Sequence, residues 1–180
     1  GHVIEVAGRD LVAGYVGQTA LRTNQLIDSA LDGILFIDEA YTLAQGGQND
    51  FGNEAIDTLL KRMEDERHHL AVIVAGYPAN MDEFIKANPG LQRRFNTEIV
   101  FADYNPPELM AIFQQLITKV QCHLSPELQD SLKVLFTALY EGRDRTFGNA
   151  GTVENLFQAM DERRASRVLA SHLDPLNEPF

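Results

Sequence analysis

The sequence is poor in the residues that mark several common function classes. It holds one cysteine, Cys122, which excludes an internal disulfide framework and fits a reducing compartment. The helical apolar pattern around Cys122 makes it a half-buried thiol rather than a nucleophile. No apolar run approaches the roughly 18 residues needed to cross a bilayer. No basic stretch followed by an apolar core opens the chain, so neither a membrane span nor a secretion signal is read. A cytoplasmic location is expected. Lysine is scarce: Lys61, Lys86, Lys119 and Lys133 are the full set, and none follows a glycine. A phosphate-binding loop of the form G-x-x-x-x-G-K-[ST] is therefore missing. Basic charge is outweighed, 15 Lys and Arg against 26 Asp and Glu, for a formal net charge of −11. That balance repels nucleic acid at long range and argues against a basic binding groove. His68-His69 has no third ligand at a metal-binding spacing and reads as an exposed turn.

What the sequence does contain is a change of pattern near its middle. The 180 residues suffice for one core plus a small satellite domain. Val3–Val6 reads as a short strand. Ile34–Ile37 and Ala71–Ala75 are continuous apolar runs, which suit strands buried on both faces of a parallel sheet. Ile99–Phe101 reads as one more strand. Between them lie helical patterns, Leu21 to Leu31 and about Asn53 to Glu66, the second with Ala55, Ile56, Leu59, Leu60 and Met63 on one face. Strand and helix in alternation predict an α/β layer to about residue 103. From residue 104 to 180 the pattern is all helical. Pro106-Pro107 opens one helix, and Ser125-Pro126 caps and starts the next. Gly148-Asn149 precedes a third, with Val153, Leu156, Phe157 and Met160 inward. Asp174–Pro179 reads as a helix stop and loose end.

The most specific signal is Ile34-Leu35-Phe36-Ile37-Asp38-Glu39-Ala40. A buried strand ends in two adjacent carboxylates, at the end of a parallel sheet where ligands bind. Successive strand side chains point opposite ways, so one acid can serve a metal while the other faces elsewhere. This is the shape of a Walker B element. Asp38 helps to hold Mg²⁺, and Glu39 positions or deprotonates the attacking water. The pattern alone also fits a strand that ends in two surface acids.

Further segments make a family recognisable. They are Asp10–Ala20, Ala75-Gly76-Tyr77, Asn88-Pro89-Gly90-Leu91-Gln92-Arg93-Arg94-Phe95 and Phe101-Ala102-Asp103-Tyr104. Together with the paired acids they resemble the CbbX/SpoVK branch of AAA+ ATPases, which includes red-type Rubisco activases, a sporulation protein and the EccA proteins of type VII secretion. The resemblance covers nearly the whole chain. It implies an ATP- and Mg²⁺-dependent protein-remodelling ring, a self-assembled hexamer acting on a protein client. It implies that Tyr15-Val16-Gly17 is a pore loop whose aromatic ring grips polypeptide, with Gly17 free to take unusual dihedrals. It implies that Arg94, with Arg93 in reserve, is an arginine finger presented to a neighbour's γ-phosphate. Without the resemblance, Tyr15 is an ordinary loop aromatic, and the arginines suit a helix C-terminus.

Two positions depart from the wider pattern. The polar sensor after the fourth family strand is here Tyr77, with Asn80 three residues on, and which residue does that job stays open. In the helical part, Glu154 stands where relatives usually carry a sensor arginine, and an acid there repels phosphate. The family's phosphate-binding loop lies upstream of the strand at Val3. The expectation is therefore a piece of a longer protein: a partial AAA+ α/β core without its first strand and P-loop, followed by a helical lid. The rival is a natural chain that lost the loop, a non-hydrolysing scaffold or regulatory subunit. A nucleic-acid motor is a third class, against which the acidic balance and the aromatic loop argue.

The family strand order, 5-1-4-3-2, puts the absent strand between Ala71–Ala75 and Ile99–Phe101. Two strands then expose unpaired backbone groups. The 180 residues expressed alone are expected to be poorly stable or self-associating. A monomeric sample that melts in one sharp, cooperative transition overturns that expectation.

Overall fold

The computed structural model describes residues 1–15, 17–45, 51–144 and 147–171. The chain divides into two compact units, Gly1–Val100 and Phe101–Phe180. Asp174–Pro179, read above as a loose end, lies outside the described residues.

The first unit is a three-stranded parallel sheet with helices. Its order is β1 (Val3–Ala7), α1 (Thr19–Ser29), β2 (Gly33–Asp38), α2 (Phe51–Asp65), β3 (Leu70–Val74), α3 (Pro78–Ala87) and α4 (Pro89–Arg94). Short 3₁₀ turns follow β1 and β2, at Gly8–Leu11 and Ala40–Ala44. The strands lie in the order β1-β2-β3, so β2 is hydrogen-bonded on both sides. Register aligns Ile4 with Leu35 and Val72, and Val6 with Ile37 and Val74. These six form the covered face, in which Leu35 and Ile37 are wholly buried. They pack with Ile27 of α1 and with Ala55, Ile56 and Leu59 of α2.

The opposite face corrects the expectation of strands buried on both sides. There Phe36 is half-buried, while Ala71 and Ile73 of β3 are exposed. The reason is handedness. Parallel crossovers are right-handed, so strands laid down in one direction place successive helices on one face. Covering the other face requires a reversal of strand order, and the described strands contain none. The strand expected at Ile99–Phe101 is a second correction: no strand forms there. Ile99, Val100 and Phe101 are 77%, 67% and 91% exposed. An extended segment becomes a strand only when a neighbour offers a ladder, and no described strand does.

Polar links tie α1 to α2. Arg62, at the end of α2, donates to Asn24 Oδ1 at 2.9 Å and pairs with Asp28 at 2.7 Å. The turn after α2 carries His68 and His69, both exposed.

Among its described residues the second unit holds three helices, α5 (Pro106–Lys119), α6 (Pro126–Glu141) and α7 (Asn149–Ser171). Their starts follow the sequence signals. Asn105 and Glu108 form a reciprocal capping box on α5, and Ser125 Oγ accepts from Leu128 N at 3.2 Å on α6. Phe113 sits at the centre, with ring centroids 6.1 Å from Phe136 and 6.0 Å from Phe157. Leu109, Ile117, Leu132 and Val153 complete the core. Cys122 is buried beside them.

One surface pair responds to pH. His69 Nδ1 lies 2.7 Å from Asp32 Oδ1. That hydrogen bond, then the Asp32 charge, raises the imidazole above its ordinary value of 6.5. The pair's contribution is complete below that value and is lost as pH rises through the folded-state value. Thermal melts from about pH 5.5 to about pH 8 should therefore show His69→Gln destabilised at the acid end and converging on wild type at the alkaline end. A difference that stays constant with pH shows that the pair does not form.

Candidate functional site

The paired acids sit at the C-terminal end of β2, the middle strand. Asp38 is the last strand residue, in register with Ala7 of β1, and its side chain is exposed. Glu39 is also exposed. Its backbone, φ 47° and ψ 41°, is left-handed. The strand's alternation therefore stops at Asp38. The direction of Glu39 is set by the turn, which corrects the view that the pleat separates the two acids.

The turn is held from every side. Asp38 Oδ1 accepts from Glu39 N at 2.9 Å. Glu39 O accepts from Thr42 N at 2.9 Å and from Thr42 Oγ1 at 2.8 Å. Ala40 N donates to Ala75 O, at the end of β3, at 3.1 Å. A left-handed non-glycine residue costs on the order of 1 kcal/mol, and these bonds hold it in place.

Two residues that the sequence reading did not single out shape the site. Tyr41 donates its hydroxyl to Glu39 Oε1 at 3.2 Å. Partial desolvation, then the Glu39 carboxylate, Tyr77 and Asp38, raise the Tyr41 phenol above its ordinary value. Gly8, in the turn after β1, lies against the back of the acid turn. A Cβ there would meet Thr42 Oγ1 at 2.5 Å, Glu39 O at 2.9 Å and Ala40 Cα at 3.3 Å. No periodicity marks either residue. The only signal was their nearness to β1 and to the acids.

Tyr77 is 64% exposed and caps α3, and Asn80 is half-buried in the first turn of that helix. Arg93 and Arg94 end α4, whose start is capped by Asn88 accepting from Gly90 N at 2.7 Å. Arg93 is exposed and forms no ion pair among the described residues. Arg94 lies 3.4 Å from Glu64 of α2 through Nη2, while its buried Nε has no partner.

Tyr15 is 74% exposed and Gly17 has φ 78°, whereas Val16 lies outside the described residues. The stem of this loop is fastened to α1. Thr19 Oγ1 accepts from Ala13 N at 3.1 Å, buried Thr23 donates to Leu11 O at 3.0 Å, and Arg22 donates to Asp10 O. In the second unit, Glu154 is exposed on α7.

Among the described residues no three His, Cys, Asp or Glu converge, so a metal cage made of protein alone is absent. Mg²⁺ keeps several waters and takes one or two carboxylates together with substrate phosphates. Asp38, with one oxygen committed to Glu39 N, fits that requirement.

Gly8→Ala tests the packing behind the turn. It should lower stability by about 1–3 kcal/mol, read as a fall in denaturation midpoint at constant slope. A neutral result shows that the turn relaxes freely.

Comparison with known proteins shows the family. The family model described as "ATPase family associated with various cellular activities (AAA)" matches residues 1–103, and that for the AAA lid domain matches residues 105–178. Stage V sporulation protein K of Bacillus subtilis (strain 168) is 46% identical over 170 residues, 94% of this chain and 53% of that protein. An ESX-3 secretion system protein, EccA3, of Mycolicibacterium smegmatis is 43% identical over 178 residues, 92% of this chain and 29% of its own length. The chloroplastic ribulose bisphosphate carboxylase/oxygenase activase of Cyanidioschyzon merolae is 39% identical over 173 residues, 95% of this chain and 58% of its own. The chain thus spans between 29% and 58% of the length of these three relatives. In fold it is similar to the crystal structure of the FIGL-1 AAA domain in complex with ADP, with TM-score 0.62, 17% identity, and 97% of this chain and 57% of that one covered. The chain belongs to the AAA family of ATPases, and within it to the branch of the sporulation protein K, EccA and Rubisco activase proteins.

Proposed function

We propose that this chain is part of a Mg²⁺-dependent ATPase that assembles as a hexameric ring and pulls on a protein client. One observation carries the reading. Two adjacent exposed carboxylates stand at the C-terminal end of the middle strand of a parallel sheet, and the second is fixed in a left-handed turn. Family membership supports nucleotide binding and hydrolysis.

In this reading Asp38 is the carboxylate for Mg²⁺. The ion, when bound, neutralises charge on the phosphates. Glu39 orients the attacking water and takes its proton. Its fixed backbone removes the need to order the turn at each turnover. Arg94 is the finger offered to the neighbouring subunit. Its ion pair with Glu64 is long and the glutamate is exposed, so releasing the guanidinium costs little. Arg93, already exposed, is the reserve. Tyr15, with Val16 and Gly17, is the gripping loop, supported by an exposed ring on a stem tied to α1. A net charge of −11 favours a polypeptide over nucleic acid as the client. Sporulation, secretion and Rubisco activation are the settings named for relatives, and they point to no common client.

Steady-state ATP hydrolysis by the whole gene product tests this. Glu39→Gln should lower turnover by about 10²–10⁴-fold, and Arg94→Ala by on the order of 10³-fold, with the ring intact by size-exclusion chromatography. An active Arg94→Ala beside an inactive Arg93→Ala moves the finger one residue. A wild-type ring with no turnover favours the scaffold reading.

A further inference from the structure

Tyr41 reaches the carboxylate of Glu39 through its hydroxyl. Its hydroxyl lies 3.2 Å from Glu39 Oε1. This is long for a hydroxyl–carboxylate bond, as is common for reaction sites that tighten only around their substrate. The ring is equally constrained. It occupies the space that Gly76 leaves open: a Cβ on Gly76 would come 2.8 Å from Tyr41 Cδ1, 2.9 Å from Tyr41 Cε1 and 2.9 Å from Met81 Sδ. Tyr41 is thus seated between the acid at the end of β2 and the segment that follows β3. The backbone joins the same two places, through Ala40 N to Ala75 O at 3.1 Å and Ala75 N to Ile37 O at 2.9 Å.

We propose that Tyr41 is a positioning residue for Glu39, its hydroxyl holding the carboxylate and its ring, seated over Gly76, coupling the Ala75-Gly76-Tyr77 segment to that acid. The inference rests on the reading of Glu39 as the group that prepares the water. It gives the Ala-Gly-Tyr sequence a physical purpose. Ala75 anchors the acid turn through its backbone, Gly76 makes room for the Tyr41 ring, and Tyr77 stands at the start of α3, whose Met81 packs on the same ring space. A shift of α3 then has a direct route to the Glu39 carboxylate. The coupling does not require the polar side chain that other family members place after this strand.

The experiment uses the whole gene product, with ATP turnover and melting temperature measured for Tyr41→Phe, Gly76→Ala, Glu39→Gln and the pair Tyr41→Phe with Glu39→Gln. Tyr41→Phe keeps the ring and removes only the hydroxyl. It should lower kcat roughly tenfold and leave the KM for ATP within about twofold, with an unchanged melting temperature. In the Glu39→Gln background, whose residual turnover is followed with labelled ATP, the same change should have no further effect. Gly76→Ala, which displaces the ring and keeps the hydroxyl, should also lower kcat. If Glu39→Gln is inactive and Tyr41→Phe turns over like wild type, the positioning role is wrong and the reading of Glu39 stands. If Tyr41→Phe costs as much in the Glu39→Gln background as alone, Tyr41 acts elsewhere and the proposal fails. If Glu39→Gln is as active as wild type, the reading of Glu39 fails and the proposal with it. Should Tyr41→Phe melt early, Gly76→Ala decides, and an unchanged kcat there overturns the coupling.

Discussion

The hydrogen-bonded position of β2 between two parallel neighbours is the constraint from which the site follows. Five residues of β1 and five of β3 are in register with it. A strand paired on both sides cannot slide or twist without breaking two ladders. Its last residue, Asp38, follows directly on that doubly paired stretch and is itself in register with Ala7 of β1. The turn that follows inherits that placement, because Ala40 N donates to Ala75 O just past β3, while Ala75 N donates to Ile37 O of β2. Carboxylates on a free loop would carry an entropic cost for each residue ordered around a substrate, about 1–2 kcal/mol per residue. Here the backbone has already been ordered by folding.

The same topology explains why the sheet is covered on one face. With β1, β2 and β3 laid side by side in chain order, right-handed crossovers put α1 and α2 together. Their contact is reinforced by Arg62, which bridges to Asn24 and Asp28. The open face leaves Ala71 and Ile73 of β3 in solvent. Ile99, Val100 and Phe101 are also exposed and unpaired. These are the residues whose apolar character promised a buried sheet, and the gap between promise and placement has one cause. Apolar sequence states what a segment would bury, whereas burial needs a partner layer.

Much of this was legible from pattern. The strand–helix alternation, the three helices of the second unit, and the caps at Asn105 and Ser125 follow from period and from local hydrogen-bonding chemistry. Such signals are carried by residues within one turn of each other. The place of the paired acids was legible because an apolar run that ends in two carboxylates reads as a buried strand with both acids at its C-terminal end. The turn that holds them was not. Gly8 is 31 residues from Glu39, and its role appears only when parallel pairing brings Ala7 opposite Asp38. Tyr41 is close in sequence, but which atom its hydroxyl meets depends on a left-handed residue that nothing in Asp38-Glu39-Ala40 announces. Gly76 was visible as part of a family segment, and its physical reason, room for a ring from another strand's turn, required coordinates.

The dihedral at Glu39 bears on function more directly than its neighbours do. Among the described residues four non-glycines have positive φ: Asp32, Glu39, Gln121 and Asn149. Asp and Asn visit this region more readily than other non-glycine residues, and the Asn149 side chain is held there by distant partners, accepting from Tyr104 N at 2.9 Å and donating to Asp103 at 2.7 Å. Gln121 follows α5 directly, where a left-handed residue closes a helix. Glu39 has neither excuse. It precedes a 3₁₀ turn, its side chain is exposed, and a glycine would relieve the strain. Strain that persists where a simpler residue would remove it points to a requirement on the side chain itself. In the proposed reading the carboxylate is that requirement. The surrounding bonds from Asp38, Thr42 and Tyr41, and the space left by Gly8, are the means by which the fold tolerates it.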